Sequence, residues 1–151
     1  MPVTTPTDGL PLPRRYGAIA AIALGITVAV LDGTIANVAL PTIAQELQAS
    51  PAESIWIINA YQLAIIVSLL SFSFLGEMWG YRRIYQGGLL LFSVMSLLCA
   101  VSDSLGMLTV ARVMQGFGGA ALMSVNTALI RIIYPQRHLG RGMAINALIV
   151  A

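Results

Sequence analysis

Four long apolar runs, at about 16–38, 54–76, 84–102 and 105–130, constrain this chain more than any other feature. Each reaches or approaches the ~20 residues that a helix needs to cross hydrocarbon. Inside a bilayer a lone segment must satisfy its own backbone amides, and helix is the element that does so. The composition agrees, with 58% hydrophobic and only 9% charged residues. The predicted fold class is therefore an all-α membrane protein with four transmembrane helices. A fifth apolar run starts near Met143 and reaches only Ala151, too few residues to span. A helix ending there leaves carbonyls unsatisfied unless something continues it, so the sequence is expected to be cut off mid-helix. Residues 1–13, rich in Pro and Thr, are expected to form a disordered cytoplasmic tail ahead of a membrane domain at 14–151.

The net charge of +2 comes from arginines scattered among loops, which gives no footprint for nucleic acid. It does give a topology. Arg14 and Arg15 precede the first span, Arg82 and Arg83 separate the second from the third, and Arg131, Arg137 and Arg141 follow the fourth. The intervening loops hold Glu46, Glu53 and Asp103 without a basic residue. The positive-inside rule then places the N-terminus and the arginine loops in the cytoplasm of a plasma (inner) membrane protein.

Two charges fall inside spans. A basic residue within a membrane helix costs about 2.5–3.5 kcal/mol on insertion scales and is kept where it faces a partner or a wet cavity. Arg112 is such a residue, and at helical spacing it shares a face with Gln115, Gly116, Gly119, Met123 and Asn126. Leu108, Leu122 and Leu129 lie opposite, suited to lipid or to packing. Asp32 lies in the first span on a face of small residues with Gly25, Ala29, Ala36 and Ala39, and Pro41 is expected to end that helix. Asp32 sits about six residues, or roughly 9 Å, from the outer end of its span. Arg112 sits about seven residues, or roughly 10 Å, from the outer start of its own. The equal depths allow a pair worth about 4 kcal/mol at an effective dielectric near 20. Such a pair is either a static structural bridge or a coupling site for proton or substrate.

Asn59, Gln62 and Ser73 share a face of the second span and are candidates to line an interior, whereas Trp56 fits an interfacial aromatic belt. Between the second and third spans, Gly80 allows a tight turn, and Glu77, Arg82 and Arg83 form either a gate or a topology signal with a surface partner. Gly87 and Gly88 are expected to let the third span pack closely. Cys99 is a lone apolar cysteine and His138 a lone loop histidine. No phosphate loop, hydrolase triad or metal-ligand spacing occurs, so neither an enzyme nor a cofactor nor a metal site is expected.

Three of these stretches resemble the major facilitator superfamily, and within it the fourteen-span drug:proton antiporter branch. Leu31-Asp32-Gly33-Thr34-Ile35, with Asn37, Ala39 and Pro41, is similar to that branch's first-span motif Leu-Asp-x-Thr-Ile-x-Asn-x-Ala-x-Pro. Arg112-x-x-Gln115-Gly116-x-Gly118-Gly119-Ala120 resembles the family's fourth-span motif, whose arginine is implicated in proton coupling. The loop from Ser73 to Arg83 matches its gating motif in part, with Ser73 for a glycine and Glu77 for an aspartate, while Leu75, Gly80, Arg82 and Arg83 are retained. The resemblance implies a partial major facilitator N-terminal helix bundle, completed by missing C-terminal helices. It implies proton-coupled efflux of drugs or other small amphiphiles, with Asp32 and Arg112 in coupling. Gln115, Gly116, Gly119, Asn126, Asn59 and Gln62 would line the cavity, and Glu77, Gly80, Arg82 and Arg83 would form the cytoplasmic gate. The partners expected are a small-molecule substrate, protons and the lipid bilayer. The alternative reading is a truncated, non-transporting membrane protein that serves as an interaction or assembly partner.

Overall fold

The structure, a computed structural model, describes residues 9–46 and 50–150. Its five α-helices are α1 (Leu12–Glu46), α2 (Pro51–Trp79), α3 (Tyr81–Ala100), α4 (Leu105–Ile133) and α5 (Leu139–Val150), with a 3-10 turn at Gln136–His138 between the last two. Four stretches, Leu12–Ala36, Ala52–Trp79, Tyr81–Ala100 and Leu105–Ile133, are long and apolar enough to cross a membrane. The all-helical bundle expected from the apolar runs is what forms.

Local chemistry fixes where these helices begin and end. Ser50 Oγ accepts from the Glu53 backbone amide at 3.3 Å while Glu53 Oε2 accepts from the Ser50 amide at 2.8 Å, a reciprocal cap on α2 with Pro51 in the first turn. Ser104 caps α4 by accepting from the Met107 amide at 3.3 Å. A single residue, Gly80, separates α2 from α3 at φ +95°, a backbone conformation that a Cβ disfavours.

Three boundaries differ from expectation. The first helix runs through Pro41 to Glu46. A proline inside a helix forfeits one backbone hydrogen bond, and membrane helices tolerate this when neighbouring groups re-satisfy the freed carbonyl. The fifth helix starts at Leu139, ahead of its apolar run, and its first turn is held by Gly142 against the ring of Tyr134, where a Cβ would come within 2.8 Å. The end of the expected N-terminal tail is ordered: the Leu10 amide donates to Ile133 O at 3.2 Å, and Arg15 Nη2 donates to Leu10 O at 2.7 Å. Residues 1–8 of that tail lie outside the described residues.

The core forms around α4. Against α3 the contact is backbone to backbone: a Cβ on Gly118 would stand 2.7 Å from Phe92 N, and one on Gly88 would stand 2.7 Å from the Ala121 Cβ. Phe92 fills the space beside this contact with no exposed surface. Gly87, by contrast, faces open space. Against α2, a Cβ on Gly116 would meet Tyr61 O at 2.7 Å. Small residues at such crossings let dispersion act at short range, which is what holds helices together when lipid offers no hydrophobic driving force. Leu108, Leu122 and Leu129 are buried, so they pack against protein rather than lipid. They do not form an opposite face, since Leu108 lies one turn before Arg112 and lines the same cavity. The Tyr85 hydroxyl of α3 donates to Ile22 O of α1 at 3.0 Å, seated over Gly25. Large apolar side chains such as Leu24, Ile66, Leu70 and Leu97 point outward, the inverse of a water-soluble bundle.

Candidate functional site

An aspartate and an arginine come together where α1 passes α4. Arg112 Nη1 donates to Asp32 Oδ2 at 2.8 Å, with the two side chains only 12% and 15% exposed. Gln115, one turn further along α4 and fully buried, completes the arrangement. Its Nε2 donates to Asp32 Oδ1 at 2.9 Å, and its Oε1 accepts from Arg112 Nη1 at 3.1 Å. Both carboxylate oxygens are therefore engaged, one by a cation and one by a neutral amide. The Cys99 thiol of α3 approaches Gln115 Oε1 at 3.8 Å, which brings a third helix to the cluster.

The arrangement has a clear chemical consequence. Two charges withdrawn from water are tolerable when paired and hydrogen-bonded, and removing one partner leaves the other uncompensated. A group able to change its charge in such a place couples its protonation to helix contacts. If Asp32 takes up a proton, the attraction between α1 and α4 weakens at that point.

A cavity of about 180 Å³ lies beside the pair, lined by Gly33, Thr34, Tyr61, Gln62, Leu108 and Arg112 among others. Its walls are mainly apolar, with an arginine, a phenol and an amide among them, as small-molecule sites commonly are. The Tyr61 hydroxyl reaches toward α4, 3.4 Å from where a Cβ on Gly119 would be.

The remaining candidates are dispersed. Gly116 packs against the Tyr61 backbone instead of lining the cavity, because α2 and α4 cross there. Gly119 is buried under Tyr61, and Gln115 is fully enclosed in the polar cluster. Asn126 sits two turns beyond Gly119, buried, with its Nδ2 donating to Asn146 Oδ1 of α5 at 2.8 Å. Asn59 is exposed on the outer part of α2. Glu77, Gly80, Arg82 and Arg83 are all exposed at the α2–α3 turn, and the three charged side chains make no ion pair among the described residues. Glu77 is thus not the surface partner of the two arginines.

Tyr61, Asn146 and Cys99 were not singled out from sequence as parts of a site. Asn146 carried a signal, as the one polar side chain in the apolar run of α5. Tyr61 carried none, since an aromatic residue near the end of a span reads as an interfacial anchor.

The family model for the Major Facilitator Superfamily matches residues 22–151. The chain belongs to that superfamily. Superfamily members are transporters, not enzymes, and the four apolar helices make the chain a multi-pass membrane protein. Among its relatives, the uncharacterized transporter YebQ of Escherichia coli is 74% identical over 95% of this chain and 32% of its own length. The riboflavin transporter RibZ of Clostridioides difficile is 29% identical over 91% of this chain and 30% of its own. The tetracenomycin C resistance and export protein of Streptomyces glaucescens is 36% identical over 93% and 26%. The chain thus spans between a quarter and a third of the length of these superfamily relatives.

Proposed function

We propose that these helices form the N-terminal part of a longer proton-coupled transporter that exports drugs or other small amphiphiles across the plasma membrane, with the N-terminus in the cytoplasm. The observation that carries the reading is the Asp32–Arg112–Gln115 cluster, a carboxylate held by one cation and one amide at the edge of a cavity. In this mechanism Asp32 exchanges its salt bridge for a proton. With the carboxyl neutral, Arg112 loses its counter-charge, α1 and α4 separate locally, and the adjacent cavity opens or closes. Proton binding at Asp32 and substrate binding in the cavity beside Arg112 then act on the same α1–α4 contact, so that occupancy of one disfavours the other, as antiport requires. Gln62, Thr34 and Tyr61 would contact the substrate in the cavity. Export is favoured by similarity to a protein named for tetracenomycin C resistance and export, and a relative named as a riboflavin transporter keeps flavin-like amphiphiles within the substrate class.

The test is reconstitution of the complete transporter in proteoliposomes with a pH-sensitive dye and an imposed pH gradient. Adding a lipophilic cation such as ethidium, or riboflavin, is expected to dissipate the gradient at a rate that saturates with substrate. Transport that proceeds at the same rate without a gradient, with no accompanying proton movement, would overturn proton coupling.

A further inference from the structure

A second concavity lies on the other side of the bundle, away from the Asp32 cluster, where α2 and α3 diverge over α4. It encloses about 540 Å³ and is bordered by Trp79 and Arg83 at one end, Phe72 and Leu91 at the other, with Gly87 and Ala121 between. Arg83, Gly87 and Leu91 follow one another at one-turn intervals, so the groove runs along α3. The eight steps along the helix from Arg83 to Leu91 correspond to roughly 12 Å of depth. Trp79 ends α2 and Tyr81 begins α3, which puts the Arg83 end at the membrane surface and the Leu91 end within hydrocarbon. The groove therefore has the polarity of a lipid: a cation and an indole at headgroup level, then apolar walls.

From this we infer that the groove holds an anionic phospholipid, its phosphate at Arg83 and one acyl chain along Gly87 toward Phe72 and Leu91. Charge complementarity selects this occupant. Arg82 and Arg83 are exposed and have no ion-pair partner among the described residues, and the nearby Glu77 is not bonded to either. A further apolar helix seated in the groove would bury Arg83 without a counter-charge, whereas a phosphate supplies one in a geometry that guanidinium matches with two parallel hydrogen bonds. Anionic headgroups attract basic residues near the surface, and the indole of Trp79 prefers the same level. Gly87 explains how a chain fits: nothing stands within 4 Å of where its Cβ would be, although its neighbour Gly88 is locked against Gly118 and Ala121. The inference does not depend on what the protein transports or on which leaflet is cytoplasmic.

The experiment is native mass spectrometry of the full chain released from detergent, with phosphatidylglycerol and phosphatidylcholine of identical acyl chains as probes. Wild type is expected to retain phosphatidylglycerol about fivefold more strongly than phosphatidylcholine, the preference one arginine near a headgroup supplies. Arg83→Gln is expected to bring that ratio to about one, while Arg137→Gln, in the other basic turn, leaves it unchanged. Gly87→Leu fills the groove and is expected to weaken retention of both lipids. Circular dichroism and thermal unfolding serve as fold controls, and Arg83→Gln, at an exposed site, tests the headgroup contact even if Gly87→Leu disturbs α3. Equal retention of the two lipids by wild type, or an unchanged ratio in Arg83→Gln, overturns the assignment. Undiminished retention of both lipids by a folded Gly87→Leu protein overturns the placement of the chain in this groove.

Discussion

Asp32 is held by two donors of different kinds, and the difference decides what each substitution does. Replacing Arg112 by Met leaves the carboxylate buried with only the Gln115 amide, and a lost partner in a buried pair costs about 3–5 kcal/mol. Combining Asp32→Asn with the same Arg112→Met removes both charges and is expected to recover most of that loss. Thermal unfolding of the three proteins in one detergent checks this, and a double variant no more stable than Arg112→Met would mean the two charges are not coupled. Gln115→Leu removes the hydrogen bonds to Asp32 and from Arg112 but no charge, and a polar contact between membrane helices is worth about 0.6–1.7 kcal/mol, so a smaller loss than that of Arg112→Met is expected in the same assay. The two charges were legible in the sequence because their insertion cost demands a reason, and counting residues from the span ends put them at one depth. Gln115 was legible as a member of the Arg112 face and of the fourth-span motif, but not as a partner of Asp32. That its amide turns to grip Asp32 depends on side-chain torsions and on how closely α1 approaches, which no spacing rule contains.

Neighbouring glycines on one helix show how packing divides positions that look alike in sequence. Gly87 and Gly88 both suggest a close contact, yet α3 is rotated so that only Gly88 meets α4. Gly88→Val is therefore expected to force the helices apart and destabilise the chain by about 1–3 kcal/mol, as overpacking usually does. Gly87→Val should leave the unfolding midpoint nearly unchanged, because its Cβ enters open space. Similar losses from both would show that the rotation of α3 is different. At the α2–α3 turn, Gly80→Ala places a Cβ at φ +95°, and such strain costs of order 1–3 kcal/mol, measurable as a lowered midpoint. Helix number and the Ser50 and Ser104 starts follow from hydropathy and capping, both local properties. The continuation of α1 past Pro41 and the early start of α5 do not, since they depend on what neighbouring segments supply.

In the bundle as a whole, α4 is the shared element, joined to α1 by charge, to α2 and α3 by glycine contacts, and to α5 by the Asn126–Asn146 amide pair. A change at Asp32 is thus felt where α1 meets the helix that every other span touches. The arginine distribution predicts which ends of this bundle face the cytoplasm. With Cys99 replaced by Ser, a cysteine at Ser50 should react with an impermeant maleimide in intact cells, and one at Arg137 only after permeabilisation. The opposite pattern would invert the proposed orientation. The most direct test of the central claim is gradient-driven efflux by the complete transporter carrying Asp32→Asn, assayed in everted membrane vesicles beside wild type at equal expression. Asparagine keeps the shape but cannot gain or lose a charge by taking up a proton, so uptake driven by the proton gradient is expected to fall to background while substrate still binds. Transport undiminished in rate and in its dependence on the gradient would contradict the account and reduce the Asp32–Arg112 pair to a structural bridge.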